Sequence, residues 1–586
     1  MTRSAAALAA CWCCHSWWGG AGLGAVAFRW LIVTATRLLS GQADYTSAPG
    51  GPHPLLPGLG RWFVVLAPVV AGLLYGPLVQ RFAREARGHG VPEVMYAVAR
   101  RGGRIRARVA VVKALASAVC IGGGGSVGRE GPIVQIGSAL GSTVGRWVRL
   151  PESRLSLLVA AGAAGGISAT FNTPVAGVFF AMELILGDFA VESFGAVVLA
   201  SVTAGAIGRA ILGDHPFLSL PTFRVDSPVE YLLYALLGLL GALVGVGFSR
   251  ILYLVEDLCD RLWRGPEWLR PAAGGVLLGG LLLVLPQMYG VGYPVLGAAV
   301  AGRYAVVFLL VLLLGKMLAT SLTIGIGGSG GVFAPSLFIG AMLGAAFGAA
   351  AHTLLPQFTG PAGAYALVGM GAVFAGAARV PITAVVIMFE LTGEYSIVLP
   401  LMVAIALAAG LSRLISADTI YTRKLRRRGI DLDRAAPGPL DRATVATAMG
   451  PLPVPVDSAT ALPELAARLA GGASALPVVD PAGELRGVVL AREIEAALRD
   501  GADDVTAASL ARTVPAVHPD DTLDEALARM IRHGSALPVA DRGTGGIVGW
   551  LTHRQILNAV TVPNQRSGPT AAAPPRPAVI DEPARG

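Results

Sequence analysis

Two proline-ended stretches of the chain share one pattern, Gly-Arg-Glu-Gly-Pro at residues 128–132 and Gly-Val-Phe-Ala-Pro at residues 331–335. The same spacing of 203 residues (128 to 331) separates Ile136-Gly137 from Ile339-Gly340. Several anchors at one spacing are typical of internal repeats. The pattern therefore predicts a domain built from two homologous halves.

A further pair of anchors supports these halves. Glu183-Leu184 and Glu390-Leu391 lie 207 residues apart (183 to 390), each nine residues after a proline. We place the halves near residues 21–213 and 229–415. The spacing alone does not distinguish parallel from inverted halves, although inverted repeats are common in transporters.

The composition indicates a polytopic membrane protein. Of 586 residues, 54% are hydrophobic and only 14% are charged, against about 25% charged in average soluble chains. These values exclude a soluble enzyme, a disordered chain and a coiled coil. The apolar runs, such as 159–167 and 174–186, are short and interrupted. Interrupted helices at membrane depth are tolerated where they line a polar path. We assign residues 21–428 to an all-α membrane domain, preceded by an irregular N-terminus at residues 1–20.

The net charge of +9 is explained by placement. Basic residues concentrate beside apolar blocks, which is typical of the cytoplasmic side of a membrane protein. We therefore expect a multi-pass protein of the cell membrane that contacts lipid and does not bind nucleic acid. The residues concerned are Arg81, Arg84, Arg87, Arg100, Arg101, Arg104, Arg106, Arg108, Lys113, Arg423, Lys424, Arg426, Arg427 and Arg428.

The polar tail contains its own repeat. Ser-Ala-Leu-Pro-Val occurs at residues 474–478 and again at 535–539. The flanking patterns predict amphipathic helices at 462–469 and 523–530 and strands at 485–489 and 547–551. Residues 429–562 are thus expected to form a cytoplasmic α/β pair with copies near 443–500 and 506–562. The Pro- and Ala-rich segment 563–586 is expected to be disordered.

Three glycine-rich segments interrupt the membrane domain, at residues 88–93, 128–132 and 327–335. Each reaches a proline of the kind favoured in a first helical turn. Helix N-termini carry unpaired donors and bind anions. One terminus contributes only about 0.3–2 kcal/mol, so several must converge to hold a dehydrated ion. The segments predict an anion site. The alternative is that the glycines only permit close helix packing.

These three segments resemble the signature motifs of the CLC family of chloride channels and chloride/proton exchangers. Residues 416–425 resemble that family's terminal pore helix, and the tail resembles a pair of CBS domains. The resemblance implies a homodimer in which each subunit carries chloride or a similar small anion between two inverted halves. It also implies a transport protein and not an enzyme.

The resemblance assigns roles to individual residues. Glu130 becomes the gating glutamate, whose carboxylate occupies an anion site; the alternative is an ion pair with Arg129. An ionisable residue at membrane depth is a functional candidate by default. The residues placed at the anion are His89, Gly90, Val332, Phe333 and Tyr421. Those placed along the pathway are Gly88, Pro92, Gly128, Arg129, Gly131 and Gly331.

The sequence departs from the family pattern at two positions. His89 stands where a serine commonly contacts the anion, so either its imidazole contacts the ion or only backbone groups do. Leu184 stands where many exchangers have a second, proton-accepting glutamate. A leucine there favours a channel over the alternative, a proton-coupled antiporter. For Glu183 and Glu390 we expect packing or helix-end roles.

The sequence of the tail offers two readings, a structural role and the binding of a regulatory nucleotide. Nucleotide-binding CBS domains often show Thr or Ser followed three residues later by Asp; here Thr552 precedes Gln555, and Leu490 precedes Glu493. A structural role is therefore favoured over adenine nucleotide binding. A further alternative is a membrane sensor or enzyme read through the tail, but the apolar part contains no catalytic pair or His-Glu-x-x-His motif. We expect no metal site.

Overall fold

The structure, a computed structural model, comprises two compact units, Met1–Leu432 and Asp433–Gly586. It describes residues 2–47, 49–51, 53–54, 57–213, 228–431, 440, 443–469, 473–501 and 504–561. The segment 563–586, expected to be disordered, lies outside the described residues. Among the described residues, eight helices are long and apolar enough to cross a membrane.

Among the described residues of the first half of the membrane unit, the regular structure is helical. Its helices are α1 Thr2–Ser40, α2 Phe63–Phe82, α3 Val91–Arg101, α4 Ala107–Gly122, α5 Glu130–Trp147, α6 Glu152–Phe171, α7 Pro174–Phe180 and α8 Val191–Leu212. One π-helical turn, Ala181–Leu186, continues α7. Short 3-10 turns occupy Tyr45–Ser47, Pro57–Trp62 and Arg84–Ala86.

The second half repeats this order. Its helices are α9 Val229–Leu262, α10 Arg270–Val284, α11 Tyr293–Val300, α12 Val306–Gly325, α13 Phe333–Leu354, α14 Ala362–Ala378, α15 Pro381–Thr392 and α16 Val398–Ile415. A 3-10 turn lies at Pro286–Met288, and the short helix α17 spans Thr422–Arg426. Helices α5 and α6 pack on each other as α13 and α14 do.

The N-terminus differs from the prediction. Residues 2–20, expected to be irregular, continue α1 as helix back to Thr2. The physical reason is composition: residues 5–10 are almost all alanine, the strongest helix former, and no proline interrupts the segment.

Glycine contacts hold the paired helices together. A Cβ on Gly137 of α5 would collide with the carbonyl oxygen of Gly162 in α6, and the reverse also holds. The repeat-related Gly340 and Gly369 make the same reciprocal contact between α13 and α14. The close packing that was the alternative explanation for the glycine-rich sequence is therefore real between these helix pairs.

Two glutamates show how the halves are oriented. Glu183 accepts hydrogen bonds from the backbone N–H groups of Ile382 (3.2 Å) and Thr383 (2.8 Å) at the start of α15. Glu390 accepts from Val175 (3.0 Å) and Ala176 (2.6 Å) at the start of α7.

These reciprocal hydrogen bonds confirm the helix-end roles expected for both glutamates. Each lies toward the C-terminal end of its own helical segment and caps the N-terminus of the other. Helices α7 and α15 therefore run antiparallel, as equivalent helices must in inverted halves.

The second unit contains two similar α/β copies. The first has strands β1 Val456–Asp457, β2 Ala475–Val479 and β3 Leu485–Leu490 with helices α19 Leu462–Leu469 and α20 Ala491–Arg499. The second has β4 Ala536–Ala540 and β5 Ile547–Thr552 with α22 Leu523–His533 and α23 His553–Thr561. Short helices α18 Val445–Ala448 and α21 Ala507–Leu510 precede the copies.

The strand register is the same in both copies. Strands β2 and β3 are antiparallel with Pro477 opposite Val488, and β4 and β5 are antiparallel with Pro538 opposite Trp550. Val488 and Trp550 also belong to a small apolar cluster that joins the copies. The predicted helices and strands of the repeat are thus confirmed, with boundaries shifted by at most three residues.

We expect Gly137→Ala to destabilise the membrane unit by about 1–3 kcal/mol, because the added methyl group must displace the α6 backbone. Thermal unfolding in detergent measures this change. Gly280→Ala in α10 is the matched control, since a Cβ there meets nothing within 4 Å. Equal melting of the two variants would contradict the packing described.

Candidate anion site

The three glycine-rich segments meet at one place and are joined by backbone hydrogen bonds. The Gly88 N–H donates to the Gly328 carbonyl (3.0 Å), and the Gly330 N–H donates to the Gly88 carbonyl (3.3 Å). Gly128 and Gly331 exchange two bonds of 2.8 and 2.6 Å. Segments far apart in sequence therefore form one buried junction.

Gly131 lies at the centre of this junction. A Cβ at this position would collide with the His89 carbonyl oxygen and approach the Gly331 Cα to 2.9 Å. Only a glycine allows the three backbones to approach this closely.

Helices α3, α5 and α13 begin at or next to the junction, with Gly90, Arg129 and Val332 as their N-caps. None of the three caps has a side-chain hydrogen bond to its helix. The first-turn N–H groups have no partner within their own helix. The predicted residues Gly88, Gly90, Pro92, Gly128, Arg129, Gly131, Gly331, Val332 and Phe333 all lie at this meeting point. The positive ends of three helices thus share one small region.

The Glu130 side chain reaches residues of the opposite half. It is 3% exposed. One carboxylate oxygen accepts a hydrogen bond from the Tyr293 hydroxyl (3.0 Å), and the other accepts from the Ala334 backbone N–H (3.4 Å). A carboxylate therefore occupies a position where first-turn N–H groups of α13 can bind an anion.

The neighbouring Arg129 makes other contacts. Its guanidinium lies 5.2 Å from the ring centroids of both Phe171 and Tyr293, and it donates to the Thr170 carbonyl (3.5 Å). Such cation–π contacts hold a cation beside the acidic side chain without placing it between Glu130 and α13.

Tyr293 belongs to a fourth segment that the motif search missed. Gly-His-Gly-Val-Pro at 88–92 has a counterpart 202 residues later, Gly-Val-Gly-Tyr-Pro at 290–294. Helix α11 begins there, with Gly292 as its N-cap. Extending the repeat comparison to this spacing would have found both the segment and Tyr293.

Two buried lysines fix the loops before α3 and α11. Lys113 donates to the carbonyls of Ala86 (2.9 Å) and Gly88 (2.7 Å). Lys316, 203 residues later, donates to Ser126 Oγ (2.9 Å) and to the carbonyls of Gly290 and Val291 (3.0 Å each).

Lys113 and Lys424 do not fit the prediction that groups them with the basic residues on the cytoplasmic side of the membrane. Lys113 is 0% exposed and Lys424 only 8%. Both ammonium groups lie against the first motif: that of Lys113 bonds the Gly88 carbonyl, and that of Lys424 is near the Gly88 Cα. The motif thus gains positive charge from side chains as well as from helix ends.

Two cavities lie in this region, one lined by Glu130 and the other by the neighbouring Arg129. The smaller, about 10 Å³, holds roughly one water-sized particle; Glu130, Gly131, Phe333 and Tyr421 are among the residues that line it. The larger is about 430 Å³, and Arg129 and Tyr293 are among its lining residues. Phe171 lines both. Phe171 therefore lies at the partition between the two spaces, and Glu130 faces the smaller one.

His89 is fully buried, with its ring 6.2 Å from the ring of Tyr253. Neither ring nitrogen has a hydrogen-bond partner among the described residues. Buried polar atoms without partners are uncommon and call for a specific reason. An anion or water beside the imidazole is one such reason.

Leu184 lies in the π-helical turn after α7 and is 9% exposed. Its side chain packs in the apolar core of the membrane unit. The adjacent Glu183 is committed to the N-terminus of α15, where it also accepts from the Thr383 hydroxyl (2.7 Å).

In the second unit, the candidate nucleotide residues already have partners. The Thr552 hydroxyl and backbone N–H both donate to Gln555 Oε1, at 2.9 and 2.7 Å. Glu493 accepts from the Leu490 N–H (3.2 Å) and forms an ion pair with Arg512.

We expect Lys316→Met to lower the free energy of unfolding by roughly 2–3 kcal/mol, because buried carbonyls at Gly290 and Val291 lose a charged donor. Thermal unfolding in detergent measures the loss. Arg303→Gln, an exposed cation between α11 and α12, should leave melting unchanged. Wild-type melting of Lys316→Met would show that the lysine does not hold this loop.

Comparison with known proteins identifies the family. The profile described as voltage gated chloride channel matches residues 71–413, and the CBS domain profile matches residues 505–562. The H(+)/Cl(-) exchange transporter ClcA of Vibrio campbellii is 36% identical over 362 residues, which cover 60% of this chain and 76% of that protein.

Two solved structures have the same fold. A slow cyanobacterial Cl-/H+ antiporter is 26% identical with a TM-score of 0.63, covering 72% of this chain and 97% of its own. A eukaryotic CLC transporter, 22% identical with a TM-score of 0.61, covers 94% of this chain and 98% of its own. The expected fold, with inverted membrane halves and a CBS tail, is confirmed. This chain is a membrane protein that belongs to the voltage-gated chloride channel (CLC) family and carries a CBS region at its C-terminal end.

Proposed function

We propose that this protein exchanges chloride for protons across the cell membrane. Glu130 is the group that binds the proton and competes with the anion. The observation that carries the proposal is the position of the Glu130 carboxylate, which accepts hydrogen bonds from Tyr293 and from the first turn of α13. A carboxylate held there excludes a chloride, and protonation weakens its hold because a neutral acid is a poorer acceptor.

Two of the similar proteins support exchange rather than passive flow. The Vibrio campbellii protein is named an H(+)/Cl(-) exchange transporter, and the cyanobacterial protein is a Cl-/H+ antiporter. The anion in the smaller cavity would be bound by the Val332 and Phe333 N–H groups and the Tyr421 hydroxyl. His89 does not line this cavity, so its contact with the anion stays a prediction. Buried Lys113 and Lys424 add favourable charge near His89.

The second candidate is an anion channel, and Leu184 favours it. A leucine cannot relay a proton, and Glu183 beside it is engaged at the N-terminus of α15. Under the exchange proposal, protons reach Glu130 by a route that does not use either side chain.

The deciding experiment measures chloride and proton flux together in proteoliposomes. We expect an outward chloride gradient to drive protons uphill in the wild type. Glu130→Gln should abolish proton movement while chloride still flows, because the amide cannot be protonated at neutral pH.

Glu390→Gln is the matched control, since it changes a half-buried glutamate that caps α7 and keeps one acceptor oxygen. It should retain coupling. Chloride flow without protons in the wild type would favour the channel, and uphill protons in Glu130→Gln would exclude Glu130 as the carrier.

For the tail, we propose a cytoplasmic, structural role in a homodimer. The observation that supports it is that Thr552 and Glu493 are engaged by Gln555 and Arg512. A ribose hydroxyl would have to displace these bonds.

We therefore expect no heat of binding when the full chain is titrated with ATP or AMP at millimolar concentration. Isothermal titration calorimetry measures it. Saturable binding that Thr552→Ala removes would overturn the structural role and place a nucleotide beside β5.

A further inference from the structure

A basic groove at one edge of the membrane unit takes no part in the anion site. It is formed where α2 ends, where α4 begins and just before α10. Its volume is about 850 Å³, within the range typical of ligand pockets. Its lining includes Arg81, Arg84, Arg106, Arg108 and Trp268. It also includes one carboxylate, that of Glu85, which is paired with Arg101 outside the groove.

The four arginines of this groove differ from their neighbours. None of them forms an ion pair or a side-chain hydrogen bond among the residues the structure describes. Three other arginines of the same basic stretch are each paired with a carboxylate: Arg87 with Glu267 (2.8 Å), Arg101 with Glu85 (3.7 Å) and Arg104 with Glu152 (3.2 Å).

Four unpaired cations around one groove repel each other, and membrane topology alone does not require that they share it. The positive-inside rule asks only for basic residues on one side. Their convergence therefore indicates a ligand with more than one negative oxygen, since guanidinium groups bind phosphate in a bidentate manner.

The apolar parts of the groove indicate where this ligand comes from. Trp268 is 42% exposed and Phe82 is 53% exposed. Both lie at helix ends, where a tryptophan ring typically occupies the headgroup level of the bilayer. A ligand that presents phosphate to the arginines and acyl chains to these rings matches both features.

We propose that this groove binds the headgroup phosphate of an anionic phospholipid. Arg81 and Arg84 approach from the end of α2, and Arg106 and Arg108 from the start of α4. Basic pockets between membrane helices bind such headgroups in general. This inference does not depend on whether the protein is an exchanger or a channel.

Native mass spectrometry of the full chain in detergent tests it, with phosphatidylglycerol and phosphatidylcholine of equal acyl chains as probes. We expect phosphatidylglycerol to bind at least tenfold more tightly. Removing one arginine should weaken it about fivefold, so that Arg81→Gln combined with Arg106→Gln weakens it about 25-fold.

Arg154→Gln is the matched control, an exposed arginine on α6 two residues after Glu152, outside the groove. It should bind both lipids as the wild type does. Chloride efflux and melting of each variant report whether it is folded. If the double variant unfolds at a lower temperature than the wild type, the single variant Arg84→Gln is used instead. We expect it to bind phosphatidylglycerol about fivefold more weakly than the wild type.

Competition with inorganic phosphate distinguishes a lipid headgroup from free phosphate as the ligand of the groove. We expect 10 mM phosphate not to displace phosphatidylglycerol. Displacement would assign the groove to free phosphate and overturn the lipid proposal. Equal binding of the two lipids, or wild-type affinity in the variants, would also overturn it.

Discussion

The structure depends on the convergence of helix N-termini inside a membrane. Unpaired N–H groups at membrane depth are costly unless something satisfies them, and here helices α3, α5 and α13 begin at one junction. Reciprocal backbone hydrogen bonds between Gly128 and Gly331 hold the junction, and Gly131 permits its close approach. The Glu130 carboxylate satisfies one of these groups, the Ala334 N–H at the start of α13. An anion is the natural replacement, and exchange between the two is the physical core of the transport we propose.

The two halves share their scaffold but not their chemistry. Lys113 and Lys316 fix equivalent loops, and Glu183 and Glu390 cap each other's helices. At the junction itself the symmetry ends, because Glu130 in the first half corresponds to Phe333 in the second. Repeated positions thus carry stability, while the unrepeated Glu130 is the residue that we propose as the gate.

Much of this could be predicted from the sequence. Fixed spacings revealed the two halves, and proline after glycine located the helix starts. The bonding of Glu130 to Tyr293 could not be predicted, because it joins residues 163 positions apart and depends on how the halves fold together. The burial of Lys113 and Lys424 was also hidden, since a basic residue beside an apolar block looks the same whether it faces water or a carbonyl. In the tail, local periodicity was enough to place helices α19 and α22 and strands β3 and β5, but not the short elements α18, α21 and β1.

Anomalous diffraction from crystals of Glu130→Gln soaked in bromide is the most direct measurement of the convergence. Bromide replaces chloride and can be located without ambiguity. We predict a peak in the cavity lined by Phe333 and Tyr421, within hydrogen-bonding distance of first-turn N–H groups of α13. Ordered bromide elsewhere in the membrane unit, with none at this junction, would contradict an anion site built from helix ends.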